Sequence, residues 1–394
     1  MVTVLKRDNA LDVKLSTHLL AIYLLLTPLD FFPVAQGVSL QRILAFLPLL
    51  GCLFYVKSMK IYFDRYFFLP VIYIAFLIIT SFYSFDVDAT QNRIFTIGTN
   101  LGFILLLSFL DYNSKEIRYL IKIIVLSGWF ALLLIIYTSG DLVADRVTVA
   151  IGGAAEDYNL LVGYFMFTMI YYVEQLMNKK KIKYFAFILI FLASIFITGS
   201  RGGLIAVFGA ALFYMLTWAK AQKFKFHVIL KFILYLTILV LGVYLILSIL
   251  PVELRERFIP TEGSFIEGAE SRLDIWGSII YKFTSSPLFN QLIGMGAGTV
   301  RHFAYEGQVG HNIWLDSLIE TGLFGTVVLF VFYYSFLKKT LTLKSYVVAS
   351  SFIGYMIMAL SLSLYRYRPL WNILLFVLIL KNYSITEDVK SEDS

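Results

Sequence analysis

The chain is poor in what soluble enzymes are rich in. Only 15% of its 394 residues are charged, 59% are hydrophobic, and the mean hydropathy is +0.79. Soluble domains run near half apolar and a quarter charged, so this excess calls for a non-aqueous solvent. No stretch is polar and long enough for an independent soluble domain. The single cysteine, Cys52, lies in an apolar run and excludes a disulfide or a thiolate metal cluster within the chain. The four histidines (His18, His227, His302, His311) are scattered with no paired spacing, so neither a metal site nor a cofactor is expected. Walker loops and a Ser-His-Asp order are missing. The pI near 9.1 does not imply nucleic acid, because the basic residues are divided among many loops rather than gathered in one patch.

What is abundant is apolar runs of the ~17 or more residues that carry a helix across ~30 Å of hydrocarbon. They place spans roughly at 15–32, 38–56, 66–84, 94–110, 117–138, 158–175, 184–199, 202–218, 228–250, 321–337, 345–363 and 369–381. The expected fold is all-α: a polytopic integral membrane protein with about 12 transmembrane helices, residues 1–394 forming one transmembrane domain. The N-terminal order, charged then apolar, resembles a signal peptide, but no small-x-small cleavage site follows, so it reads as an uncleaved first helix. Lysine runs such as Lys179-Lys180-Lys181 and Lys338-Lys339 make alternate loops cytoplasmic. Both termini fall on that side, residues 382–394 as a short charged tail. The one long connection, 251–312, lies between helices 9 and 10 on the outer side, and is expected to be partly helical.

Charge type follows this division. Ten arginines fall on the outer side: Arg42, Arg93, Arg146, Arg201, Arg255, Arg257, Arg272, Arg301, Arg366 and Arg368. Lys282 is the one outer lysine, whereas the inner cations are almost all lysine. Topology accounts for lysine inside but disfavours any cation outside. Arginine is the planar, permanently charged fork that grips phosphate through two bonds. Structural pairing with the outer acids explains individual arginines; a phosphate-bearing ligand at the outer surface better explains the set.

Three segments carry the chemistry. Thr198-Gly199-Ser200-Arg201-Gly202-Gly203 separates two short apolar runs, so its arginine sits at or just beneath the outer interface, where a cation calls for a polar cavity or an anion. The glycines let backbone approach a ligand. In His311-Asn312-Ile313-Trp314-Leu315-Asp316, continuing to Glu320-Thr321-Gly322 and Gly325, a helix would align Asn312, Asp316 and Glu320 in one polar stripe. His311 stands where loop meets helix, and imidazole can take a proton from a hydroxyl nucleophile near neutral pH. Read alone, it is equally a polar cap. Ser271-Arg272-Leu273-Asp274-Ile275-Trp276 opens an amphipathic helix that leads to Leu292-Ile293-Gly294-Met295-Gly296-Ala297-Gly298, expected to be a flexible outer loop.

Together, TGSRGG after a short helix, SRLDIW with a downstream G-x-G loop, and HN followed after nine intervening residues by GxxG resemble the O-antigen polymerase and O-antigen ligase superfamily. The motifs cover about 155–330. The resemblance implies a bacterial, multi-pass glycosyltransferase of the cytoplasmic (inner) membrane, its active site facing the periplasm or exterior and needing no metal. Its donor would be an oligosaccharide on undecaprenyl pyrophosphate, with membrane lipid, a chain-length regulator and a flippase as partners. By the same resemblance Arg201 and Arg272 bind the pyrophosphate and His311 activates the acceptor hydroxyl. Gly202 and Asn312 belong to the same motifs, and Arg146, Asp157 and Asn159 are weaker candidates for the same cavity. Polymerase and ligase share this donor chemistry; the modest outer loop favours polymerase. A lipid-linked oligosaccharide flippase is the rival from another class, but it would place ionisable groups near the bilayer midplane in two related halves.

Overall fold

The computed structural model describes residues 13–392 apart from 36–37, 144–145, 152–153, 156–157, 180, 251 and 259–263. It is predominantly helical. The helices overlap the apolar segments expected from the sequence, with ends that differ by several residues in places. Among the described residues, four helices are long and apolar enough to cross a membrane: Ser114–Tyr137, Arg201–Ala221, Val228–Ile249 and Ile313–Thr342. Shorter apolar helices include Leu15–Leu25, Arg65–Thr80, Ile182–Ile197 and Tyr346–Met358. Strand pairing is confined to loops, where Pro33–Ala35 pairs with Val38–Ser39, and Arg146–Ile151 pairs with Ser139–Val143 and Ala154–Ala155. The helix Phe226–Ile249 shows why the chain needs lipid. Much of its surface, including Ile233, Leu234, Val240, Leu241 and Tyr244, is more than half exposed, while Val228 and Ile246 mark the face that packs on the protein. A helix apolar all round is stable only in an apolar surrounding.

The chain forms two compact units. The first comprises Met1–Val56, Tyr112–Thr261 and Thr340–Ile357. Its helices meet through small residues that let backbones approach. Gly128 packs against Thr168, whose hydroxyl donates to the Val125 carbonyl at 3.2 Å, and Gly354 lies against Met166. Large rings fill the space between: Trp129 donates to the Tyr172 hydroxyl at 2.6 Å and packs on Phe187 and Phe191. The helix Ser114–Thr138 starts on a reciprocal cap, since Asn113 accepts from the Glu116 amide while Glu116 accepts from the Asn113 amide, both at 2.9 Å. Glu116 is fully buried and also accepts from Thr17 at 2.8 Å, which fixes the first helix to this one.

The second unit comprises Lys57–Asp111, Glu262–Lys339 and Met358–Ser394. Asp64 caps the Arg65–Thr80 helix by accepting from the Tyr66 and Phe67 amides, and pairs with the buried Lys381 of the C-terminal helix. Asp86 caps Val87–Ser108 through the Ala89 amide at 2.9 Å. That helix begins seven residues before the apolar segment expected from position 94, because its polar first turns find partners inside the protein (below). The described residues of the 251–312 connection include the helices Ser264–Thr284 and Leu288–Ile293. One face of the first of these, Ile275 and Ile279, forms a cluster with Met295, Val300, Ala304 and Ile319.

Candidate active site

The Thr198–Gly203 turn is built from two caps placed back to back. Gly199 adopts φ +66°, closing the Ile182–Ile197 helix with bonds from its own amide to Phe196 O and from the Ser200 amide to Ile195 O. A left-handed residue at this position is the usual glycine helix stop. Ser200 then caps the next helix, its hydroxyl accepting from the Gly203 amide at 3.1 Å and donating to Asn159 Oδ1 at 2.7 Å. Gly203 has to be small, because a Cβ there would meet Val162 at 2.7 Å. Arg201 and Gly202 therefore occupy the first turn of a 21-residue helix, half-buried, with Asn159 tied to the same turn. Backbone amides at such a start, with a guanidinium beside them, suit an anion. All of this lies in the first unit.

His311, Asn312 and Arg272 belong to the second. Asn312 is the cap of the following helix: its Oδ1 accepts from the Trp314 and Leu315 amides at 3.0 and 3.3 Å, and its Nδ2 donates to Leu360 O at 3.2 Å. Its amide is thus engaged in holding the helix start. Ile313 is fixed twice more, its amide donating to Ala359 O at 3.0 Å and its carbonyl accepting from the Tyr365 hydroxyl at 3.1 Å. The half-buried His311 is in the left-handed region at φ +48°. Non-glycine residues adopt this uncommonly, although histidine does so more often than most. Trp276 donates from Nε1 to the Gly310 carbonyl at 3.0 Å. Because Arg272 precedes Trp276 by four residues, both lie on one face of their helix, and Arg272 is one turn from the histidine's own loop. The bond ties the helix that carries Arg272 to the loop that carries His311.

Beneath the histidine turn, the polar stripe expected on the helix is present but buried. Glu320 is 1% exposed and accepts from Arg93 at 2.8 Å; Arg93 stacks over the Tyr365 ring at 4.1 Å. Asp316 is fully buried, with one oxygen accepting from Ser363. Arg93, counted from the sequence among the outer arginines that suit phosphate, is thus committed to an internal carboxylate. No spacing in the sequence places Arg93, Ser363, Tyr365 or Trp276 in this region, which each reaches from a distant segment.

The glycine loop is not the flexible wrap that its composition suggests. The helix beginning at Ile313 breaks at Gly322, with φ +66° and ψ −169°. The break leaves two carbonyls without their intrahelical donors, and the loop supplies them: Met295 N donates to Ile319 O at 2.9 Å and Gly296 N to Glu320 O at 3.1 Å. Gly294, Gly296 and Gly298 have φ of +88°, +119° and +79°, and a side chain on any of them would run into neighbouring atoms. Tyr83 donates to Ile293 O at 2.6 Å and Thr90 to Ala297 O at 2.7 Å. The glycines serve conformation and close approach. Just beyond, His302 Nε2 pairs with Asp86 Oδ2 at 2.6 Å on an exposed surface. The Ala89 amide first, and His302 second, hold the Asp86 carboxyl below the usual aspartate range.

Of the weaker candidates, Arg146 begins the middle strand of the 139–155 hairpin, and Asp157 lies outside the described residues. In comparison with known families, residues 185–330 match the family described as O-antigen ligase. The match runs from the helix before Arg201, through Arg272, to beyond His311 and Gly325. No curated protein matches the chain.

Proposed function

We propose, for a chain that carries a domain of the O-antigen polymerase and ligase superfamily, that it polymerises undecaprenyl-pyrophosphate-linked oligosaccharides on the outer face of the cytoplasmic membrane. The observation that carries this reading is that one family match spans Arg201, Arg272 and His311 together. Membership supports O-antigen ligase- or polymerase-type activity in general; the finer assignment is ours. Twelve crossings, both termini inside and residues 251–312 outside would place all three residues on the outer surface, as the sidedness of lysine and arginine suggests.

In this mechanism Arg201 and Arg272 hold the donor's pyrophosphate. His311 takes the proton of the acceptor hydroxyl as its oxygen attacks the anomeric carbon of the donor sugar. The bond from that carbon to the pyrophosphate oxygen breaks, and the pyrophosphate leaves on its lipid with the bonding electrons. Guanidinium groups offset the charge developing on the leaving group, the task a divalent ion performs in other transferases. The arrangement of Arg272 one helical turn from the histidine loop supports these roles. Gly202 and Asn159 shape the Arg201 turn, and Asn312 holds the His311 turn.

A second reading, ligation of finished polymer to lipid A–core or another acceptor, draws on the match to a family described as O-antigen ligase. Both would act beside a flippase, and the polymerase beside a chain-length regulator. The saccharide ladder of a deletion strain separates the readings. Single repeats left on the lipid anchor identify the polymerase, long polymer still on the anchor identifies the ligase, and an unaltered ladder rejects both. Transfer by the purified protein should also survive EDTA; loss restored by one divalent ion would reject the metal-free mechanism.

A further inference from the structure

Two carboxylates and one guanidinium share the interior beneath the histidine turn. Glu320 is satisfied by Arg93. Asp316 is not: Oδ2 accepts from Ser363, while Oδ1 is buried without a hydrogen-bond partner. A buried, unsatisfied carboxylate oxygen costs free energy, and such groups are kept in few places without a reason. The position of this one is specific. Oδ1 lies against Gly310, so close that a Cβ added to Gly310 would collide with it. Gly310 directly precedes His311.

We infer that Asp316 is a positioning residue for the candidate base, its carboxylate lying under the Gly310–His311 turn and stabilising the protonated imidazole that forms when His311 accepts the acceptor hydroxyl's proton. The inference deepens the transfer mechanism above and rests on it for the meaning of that proton. Glycine at 310 is what admits the carboxylate. Ser363 orients it from the far side, and Arg93 is drawn towards Glu320. The other titratable or charged groups facing this region are Tyr73 from the Arg65–Thr80 helix, Arg93 from Val87–Ser108, Arg272 from Ser264–Thr284, Glu320 from the same helix as Asp316, and Tyr365. Cations of this set oppose imidazole protonation, whereas Asp316 places a carboxylate oxygen against Gly310, the residue before His311.

The test uses the full-length protein in detergent or vesicles and reads the pH dependence of His311 carbethoxylation by diethyl pyrocarbonate, resolved from His18, His227 and His302 by peptide mass spectrometry. Asp316→Asn should lower the pH of half-maximal reactivity by about one unit, the scale on which a neighbouring charge moves an ionisation. Asp316→Ser, which puts no amide against Gly310, decides the matter if the asparagine variant does not assemble. Ser363→Ala removes the hydrogen bond but keeps the charge, and should leave the midpoint near that of the unaltered protein. An unchanged midpoint in the neutral variants, or an equal shift in Ser363→Ala, overturns the inference. The readout does not depend on turnover. A shifted midpoint in a protein that transfers no sugar would sink the transfer reading and leave the electrostatic one standing.

Discussion

Arg93 and Glu320 are 227 residues apart in sequence and meet as an ion pair of 2.8 Å, with the carboxylate 1% exposed and the guanidinium stacked on Tyr365. This pair joins the helix Val87–Ser108 to the one that starts beside His311. A charge stranded in such a place is expensive.

Glu320→Ala is therefore expected to destabilise the protein by about 3–5 kcal/mol, because it leaves Arg93 buried without its partner. Thermal unfolding in detergent measures this. A melting curve that overlays the unaltered protein would mean that Arg93 finds water or another acceptor.

His311→Ala should reduce glycosyl transfer by roughly 10²–10⁴, the usual contribution of a positioned general base, while the protein remains inserted in the membrane. Asn312 continues to cap the helix in this variant, so no large loss of stability should accompany it. Polymer of ordinary length made by the variant would remove His311 from the mechanism.

Arg201→Lys and Arg272→Lys should each lower transfer by about 10–100-fold despite retaining the charge. An ammonium cannot reproduce a two-bond grip on phosphate, and a charged hydrogen bond contributes about 1.5–3 kcal/mol. Initial rates over a range of donor concentrations check this, and wild-type turnover in the lysine variants would argue against a pyrophosphate clamp.

The Asp86–His302 pair gives a prediction in pH. Asp86 titrates below its ordinary value in the folded protein, so its contribution to stability is present above the unfolded pKa near ~3.9 and fades as pH falls through the lower folded value. Asp86→Asn should show a smaller loss of melting temperature on acidification from about pH 5 to pH 3 than the unaltered protein. Equal acid sensitivity in the two would show that other carboxylates carry the effect.

Local grammar made much of this protein legible from its sequence. The apolar segments announced their helices, and Gly199 and Ser200 carried the stop and start signals that the structure uses. The stripe of Asn312, Asp316 and Glu320 is real, but periodicity cannot say whether a polar face meets solvent, ligand or an arginine from elsewhere. Arg93 arrives from the other end of the chain, and Trp276 reaches Gly310 across 34 residues; no spacing rule encodes either. The bonded glycine loop differs from the expected flexible one for a related reason. A run of glycines signals permitted backbone angles, and flexibility is only one use of them. Here the angles let the loop dock on helix carbonyls at Ile319 and Glu320.

That docking has a consequence for how such a protein can vary. The loop is joined to the broken helix by main-chain amide and carbonyl groups, so the docking asks of the loop an N–H at two positions and the absence of a side chain at Gly294, Gly296 and Gly298. Exposed positions farther along, such as Arg301, Tyr305 and Glu306, lie outside these bonds and can be exchanged without disturbing them. Insertion or loss of one residue between Gly294 and Gly298 would instead shift the whole segment out of step.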